Sequence, residues 1–437
     1  MEPWLAGIII FGSLIVLFVS GLPVAFCFAA VNVAGVWIFW GGVKGLQQLC
    51  LSMFDSVTTF TLLPFPLFVL LGEILFRSGI ATRAIEVVDI WLGRLPGRLS
   101  LLSVGSGVIL STLSGASVAS VAMLGSTLVP EAEKRGYKKT ISLGPILASG
   151  TLAMMIPPSG MAVLLASLAY ISVGGILMAG IIPGLMMATF YSTYIILRCY
   201  FQPSIAPPYT VPAIPLVKKI KGTASDLFPV AVIIFLVIIV IFLGIATPSE
   251  AAAMGALGSF ILAACYKNLN WDIIKNSVSS ATRIAVMLMA IVLGAKAFGQ
   301  VLSFSGVMKA ITLWVMGLPV SPITIIVGML AVVLILGCFM DAVALLMMVI
   351  PLYMPMVSTL GFDPLWFGLL LLIGVETSLI TPPFGLSLFV MKGVAPPDTT
   401  TGDIYRSVWP FIVINLGVLG LCIAFPTLGL WLPSVMH

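Results

Sequence analysis

Charge is what this sequence lacks most. Only 8% of its 437 residues are Asp, Glu, Lys or Arg, against about a quarter in an ordinary soluble domain. So few charges cannot coat a soluble globule of this length, which excludes a soluble enzyme and a disordered chain. Histidine occurs once, as His437, so histidine-based metal or acid–base chemistry is all but excluded. The six cysteines, at 27, 50, 199, 265, 338 and 422, are isolated, with no CxxC pair. They read as small core apolar residues rather than ligands or disulfides. The formal net charge of +5 comes from sparse basic residues lying between apolar runs. That is no nucleic-acid footprint, and no nucleic-acid partner is expected. No motif pairs two carboxylates, and no GxxxxGK[ST] loop occurs, so neither an enzyme nor an ATP-driven machine is expected.

What is there is apolar: 60% of residues are hydrophobic. The expectation is an all-α protein threaded many times through a lipid bilayer. A spanning helix needs about 20 apolar residues. The run after Met1-Glu2-Pro3 lacks the basic start of a cleavable signal and reads as a first membrane helix, 4–20. Further spans are expected at 22–42, 58–77, 173–200, 225–246, 247–266, 284–304 and 404–434. The remaining apolar sequence comes in shorter pieces broken by Gly, Pro or Ser.

Those pieces repeat. GEILFRSGI from Gly72 matches GQVLSFSGV from Gly299, 227 residues on, and MIPPSG at 155–160 matches ITPPFG at 380–385 at an offset of 225. Pro130 and Pro355, Gly136-Tyr137 and Gly361-Phe362, and Val118-Ala119 and Val343-Ala344 keep that second spacing. Two copies of one unit are therefore expected, 58–200 and 284–434, after scaffold helices in 1–57 and joined by a connector with scaffold helices, 201–283.

Loop charge orients the copies. Arg77, Arg83, Arg94 and Arg98 precede segment 99–131, and Lys134, Arg135, Lys138 and Lys139 follow it. The matching stretches of the second copy carry Lys309 alone. By the positive-inside rule the basic ends of copy one and the connector face the cytoplasm. Both ends of 99–131 then lie inside, yet the segment is too short for two spans. A re-entrant helical hairpin resolves this, with arms of about 15 residues reaching about 22 Å and its tip at Ser114-Gly115-Ala116-Ser117. Segment 320–356 is its counterpart from outside, with a tip at 338–342. Around each Pro-Pro pair a helix must unwind, which predicts broken helices at 141–171 and 364–395. Counting crossings gives ten spans, two hairpins, inverted copies and both termini outside. Segments 80–95 and 306–318 read as amphipathic arms along the interface.

Unwound backbone at membrane depth survives only where protein or water covers it, and broken helices in inverted repeats point to a transporter site. Their free carbonyls suit a cation and their free N–H groups an anion. The oxygen-rich tips and breaks suit a hard cation such as Na+, with Ser114, Ser117, Ser159 and Thr381 supplying hydroxyls to that cation or to a carboxylate. Asp341 is a costly mid-membrane carboxylate that either caps a helix at its tip, serves an ion, or does both. Glu73 and Arg77 are spaced for an i,i+4 pair. Glu376 stands six residues before Pro382 and is left open between structure and function. Lys296 is left open between pairing in the bundle and reaching outward.

Five segments, SGASVAS at 114–120, IPPSG at 156–160, FMDAVA at 339–344, GFDPLWFG at 361–368 and ITPPFGLSLFV at 380–390, together resemble the large membrane subunit of TRAP transporters, the tripartite ATP-independent periplasmic transporters. The resemblance covers about 50–415. It implies an elevator-type, sodium-driven secondary transporter of carboxylates in the bacterial inner membrane, where the outside termini of the crossing count would be periplasmic. It also implies a small membrane subunit and a periplasmic substrate-binding protein as partners, and no organic cofactor. The family's ion sites map onto Ser114, Gly115, Ala116, Ser117, Pro157, Pro158 and Ser159 in the first copy. In the second they map onto Met340, Asp341, Ala342, Thr381, Pro382, Pro383 and Gly385. Two positions depart from the pattern: the family commonly has Asp at Ser120 and Asn at Ser387. A stand-alone ion-coupled carboxylate symporter of related fold is the alternative.

Overall fold

A computed structural model describes residues 2–58, 60–93, 95–114, 117–207 and 215–436, with the backbone alone at 57, 60 and 111–114. The chain opens with α1 (Pro3–Val19), α2 (Val24–Phe39) and α3 (Val43–Val57). A first series follows: α4 (Pro64–Arg77), α5 (Ile80–Leu92), α6 (Arg98–Ser114), α7 (Ser117–Lys134), α8 (Lys139–Gly150), α9 (Gly160–Ala169) and α10 (Val173–Phe201). The middle holds α11 (Leu216–Gly222), α12 (Phe228–Phe242) and α13 (Pro248–Cys265). A second series comprises α14 (Trp271–Phe304), α15 (Val307–Met316), α16 (Pro322–Gly337), α17 (Ala342–Thr359), α18 (Pro364–Leu379), α19 (Leu386–Val394) and α20 (Thr401–Ala424), and α21 (Thr427–Ser434) closes the chain. No strand occurs among the described residues.

The seven elements α4–α10 recur in kind and order as α14–α20. Their packing recurs too: α8 lies on α20 as α18 lies on α10, and α7 lies on α19 as α17 lies on α9. Both hairpins pair their own arms, α6 with α7 and α16 with α17. Each Pro-Pro segment separates two short helices, α8 from α9 and α18 from α19. The Pro157–Pro158 and Pro382–Pro383 bonds are both cis. α4 turns into the amphipathic α5 through 68°, at Ser78-Gly79, where Gly79 takes φ +74°. A left-handed backbone there is cheap only for glycine.

Length corrects several expected spans. Among the described residues six helices are long and apolar enough to cross a membrane, or seven if the bent α4–α5 pair counts as one. α1 and α2 have 17 and 16 residues. The run expected at 58–77 yields only the 14-residue α4, because Pro64 and Pro66 hold the helix start at its apolar end. The span expected at 404–434 is two helices, since Phe425 leaves helical geometry just before Pro426. The second-copy boundary at 284 falls inside α14, which is continuous for 34 residues.

One large core joins both series and the outer helices. α18 is buried from Trp366 to Leu379 without interruption, as a helix apolar on all sides should be. α14 runs against both α4 and α2, where the Asn32 side chain donates from Nδ2 to Gly294 O at 2.7 Å. The expected i,i+4 pair also forms, with Arg77 Nε 2.6 Å from Glu73 Oε2.

Candidate substrate and ion site

A cavity of about 270 Å³ lies where the two series meet. Hairpin one reaches it through Ser117 and Val118, and hairpin two through Asp341, Ala342 and Val343. The first break contributes Met154, Pro158 and Gly160, and the second is represented by Leu379 and Leu386 on its two sides. α4 and α14 close the remaining side with residues such as Phe65 and Leu288. The first residues of α7, α9, α17 and α19 all line this space, as does the last of α18. Four helix N-termini offer partial positive charge to an anion, and helix ends such as Leu379 offer carbonyls to a cation.

Asp341 is the N-cap of α17. One carboxylate oxygen, Oδ2, accepts from Val343 N at 3.0 Å and Ala344 N at 3.4 Å, leaving Oδ1 outside the cap. It therefore caps a helix and lines the cavity at once. Ser159 caps α9, accepting from Ala162 N at 3.3 Å. Thr381 Oγ1 is committed to its own helix, donating to Thr377 O at 2.7 Å. The second tip and its break touch through the Cys338 thiol, which donates to Pro382 O at 3.8 Å. Pro383 O accepts from Tyr405 OH at 2.5 Å. A Cβ at Gly385 would strike the Leu379 and Thr381 carbonyls, so the second break folds back on itself only because that position is bare.

Of the expected site residues, Ser117, Pro158, Asp341 and Ala342 line the cavity. Pro157 and Ser159 are buried behind it, and Met340 stands beside it on the second tip. Thr381, Pro382, Pro383 and Gly385 form the second break, outside the lining. Gly115 and Ala116 lie outside the described residues, and Ser114 is described by its backbone alone. Ser120 and Ser387 are both buried.

Glu376 was missing from the sequence-based set. It is fully buried, and its Oε1 accepts from Ser117 Oγ at 2.7 Å. A hydroxyl on the first hairpin tip thus meets a carboxylate one turn before the second break. Oε2 has no hydrogen-bond partner among the described residues. The visible signal was an acid inside an otherwise apolar run; its partner, 259 residues away, was not visible. Nearby, Thr151 Oγ1 lies 3.1 Å from Tyr191 OH, and that hydroxyl donates to Asn415 Oδ1, tying the first break to α10 and α20.

A family model described as "Tripartite ATP-independent periplasmic transporter, DctM component" matches residues 11–428. The chain belongs to this family. The C4-dicarboxylate TRAP transporter large permease protein DctM of Pseudomonas aeruginosa is 30% identical over 392 residues, covering 89% of this chain and 90% of that one. The 2,3-diketo-L-gulonate TRAP transporter large permease protein YiaN of Escherichia coli is 27% identical, covering 97% and 98%. The isethionate TRAP transporter permease protein DctMQ of Oleidesulfovibrio alaskensis is 28% identical; 94% of this permease matches only 64% of that longer chain. The crystal structure of the Alcanivorax borkumensis YdaH transporter shares the fold at TM-score 0.64 and 15% identity, over 91% of each chain. This TRAP permease is accordingly a multi-pass inner-membrane transporter subunit and not an enzyme.

Proposed function

We propose that this permease imports an organic acid anion by sodium-coupled, binding-protein-dependent symport, using an elevator movement of its hairpins and broken helices against the outer helices. One observation carries the reading: both hairpin tips and both sides of the broken-helix pair converge on a single cavity. Helix N-termini there suit a carboxylate, and Asp341 with free carbonyls suits Na+. The copies, α4–α10 and α14–α20, are inverted, ten segments cross the bilayer, and both termini are periplasmic. The partners are a small membrane subunit, corresponding to the extra length of the DctMQ relative, and a periplasmic binding protein. C4-dicarboxylate, diketogulonate and isethionate in the relatives' names support an organic acid as substrate.

The energetics suffice without ATP. One charge moving through 100 mV supplies about 2.3 kcal/mol, so two sodium ions carried with one monoanion, a single net charge, support about fiftyfold accumulation from the potential alone, and the sodium gradient adds to it.

Uptake into proteoliposomes tests the proposal, with this chain, its small subunit and a cognate binding protein under an imposed sodium gradient. Uptake of a labelled organic acid that needs both sodium and the binding protein is the expected result. Uptake without any binding protein would establish a stand-alone symporter instead. Uptake indifferent to sodium would remove the ion role from the tips and breaks.

A further inference from the structure

The central cavity has two unlike walls. One is built by the hairpin tips and breaks, where α7, α9, α17 and α19 begin and the backbone N–H groups of a first turn lack helical partners. The opposite wall comes from α4 and α14. It consists of Phe65, Phe68, Val69, Ile284, Met287 and Leu288, every one apolar.

Polar side chains are scarce even on the first wall. Of the residues lining the cavity only Ser117 and Asp341 carry one, and none is Lys, Arg or His. The Ser117 hydroxyl commits its proton to Glu376. Asp341, as a carboxylate, only accepts, and its Oδ2 already holds the start of α17. Lys296 stands two turns beyond Leu288, about 12 Å further along α14, and lines a separate cavity. A carboxylate is thus received by the helix starts alone, and the rest of a ligand meets hydrocarbon. Room is limited as well: 270 Å³ holds about nine non-hydrogen atoms, at about 30 Å³ each as for liquid water.

We propose that the central site selects monocarboxylates with an apolar body of about six carbons, and rejects sugar acids and short dicarboxylates. The inference rests on the transport reading above and narrows its substrate class, away from the C4-dicarboxylate in a relative's name. The acid group docks at the helix starts and the hydrocarbon end lies on the α4–α14 wall. A hydroxyl pressed against that wall gives up water with nothing to replace it, a loss of about tenfold in affinity, and a second carboxylate loses more.

Saturation-transfer NMR on the detergent-solubilised full chain with its small subunit, in sodium buffer and with empty micelles as the blank, tests this. The probes are ketoisocaproate, an acid with an apolar body, and two polar acids of similar size, threonate and succinate. Ketoisocaproate is expected to bind, and the other two to displace it at least about tenfold more weakly. Leu386→Gln, at an exposed position of the lining, brings a hydrogen-bonding side chain into the cavity and should close most of the gap to threonate. The comparison in the unsubstituted protein does not depend on how that variant folds. Threonate or succinate binding as tightly as ketoisocaproate, or no binding of ketoisocaproate, would overturn the inference. The same selectivity and strength of binding with potassium in place of sodium would uphold it and count against the sodium reading alone.

Discussion

The two Pro-Pro breaks carry one motif in opposite surroundings. Residues 155–159 are all buried, pressed by α10, where a Cβ on Gly180 would land on the Met155 carbonyl. At the second break Pro383 and Phe384 are exposed. The Phe384 ring lies 5.4 Å from that of Phe339 on the neighbouring hairpin tip and 6.1 Å from that of Phe389. A helix covers the first break, whereas aromatic rings flank the second, whose backbone is held by Cys338 and Tyr405. The copies also differ in charge: Asp341 and Glu376 both belong to the second, and the 225-residue spacing sets Glu376 against Thr151. A duplicated frame has thus been given one sealed and one accessible half, with both acids at the tips and breaks, Asp341 and Glu376, in the accessible copy.

The sharpest test of that asymmetry is Glu376. Glu376→Ala should leave the buried Ser117 hydroxyl without its acceptor and cost about 1–3 kcal/mol, read as thermal unfolding in detergent, and reduce uptake by about a hundredfold. Thr151→Val, its counterpart, should cost about 1 kcal/mol; equal costs would break the comparison. Next comes Asp341. Asn also caps helices, so Asp341→Asn should fold normally yet raise the sodium concentration for half-maximal uptake about tenfold, one charge-assisted contact. Asp341→Ala should in addition lose about 1 kcal/mol of stability. In a cysteine-free background, Phe384→Cys should react with a small maleimide at least about tenfold faster than Ser159→Cys, since labelling follows exposure. Similar rates would mean both breaks are equally open.

The smallest effect concerns an ion pair that ties the first copy to the second. Lys139 Nζ lies 2.6 Å from Asp398 Oδ2. The hydrogen bond from Lys139 holds the Asp398 carboxyl below its ordinary range. A lowered carboxylate stabilises fully above the unfolded value, about 3.9, and that contribution is lost as pH falls through the lowered one. Both partners meet water, so Lys139→Met should lower thermal stability only slightly at pH 7 and not at all near pH 2.

Much of this was legible in the sequence because it is local. Pro-Pro pairs, a Ser-Gly turn between basic ends, and a fixed repeat spacing each dictate backbone within one segment, and α6–α9 and α16–α19 begin and end within a few residues of expectation. Family membership was legible from five short segments in order. What escaped is what depends on distance in the fold. Ser117 and Glu376 bond across 259 residues, and nothing in either neighbourhood names the other. The pocket shared by α9, α14 and α17 was equally hidden. The end of α20 was missed although Pro426 marks it, because continuous hydrophobicity outweighed a single proline. α14 was read short because the connector was taken to end at 283, whereas the helix continues through it with Lys275 and Arg283 on its exposed side.

That long helix has a consequence for the lipid around it. At 34 residues α14 is about 51 Å long, while the hydrocarbon layer is about 30 Å thick. Roughly two fifths of the rod must stand in the headgroups or beyond, or the rod must lean. Its early turns are pinned where Arg77 Nη2 donates to Ser280 Oγ at 2.9 Å, so leaning drags α4 with it. Bilayer thickness then becomes a setting of the machine. Acyl chains that are too short or too long change the mismatch, the tilt of α14 and with it the wall that α14 gives the central cavity.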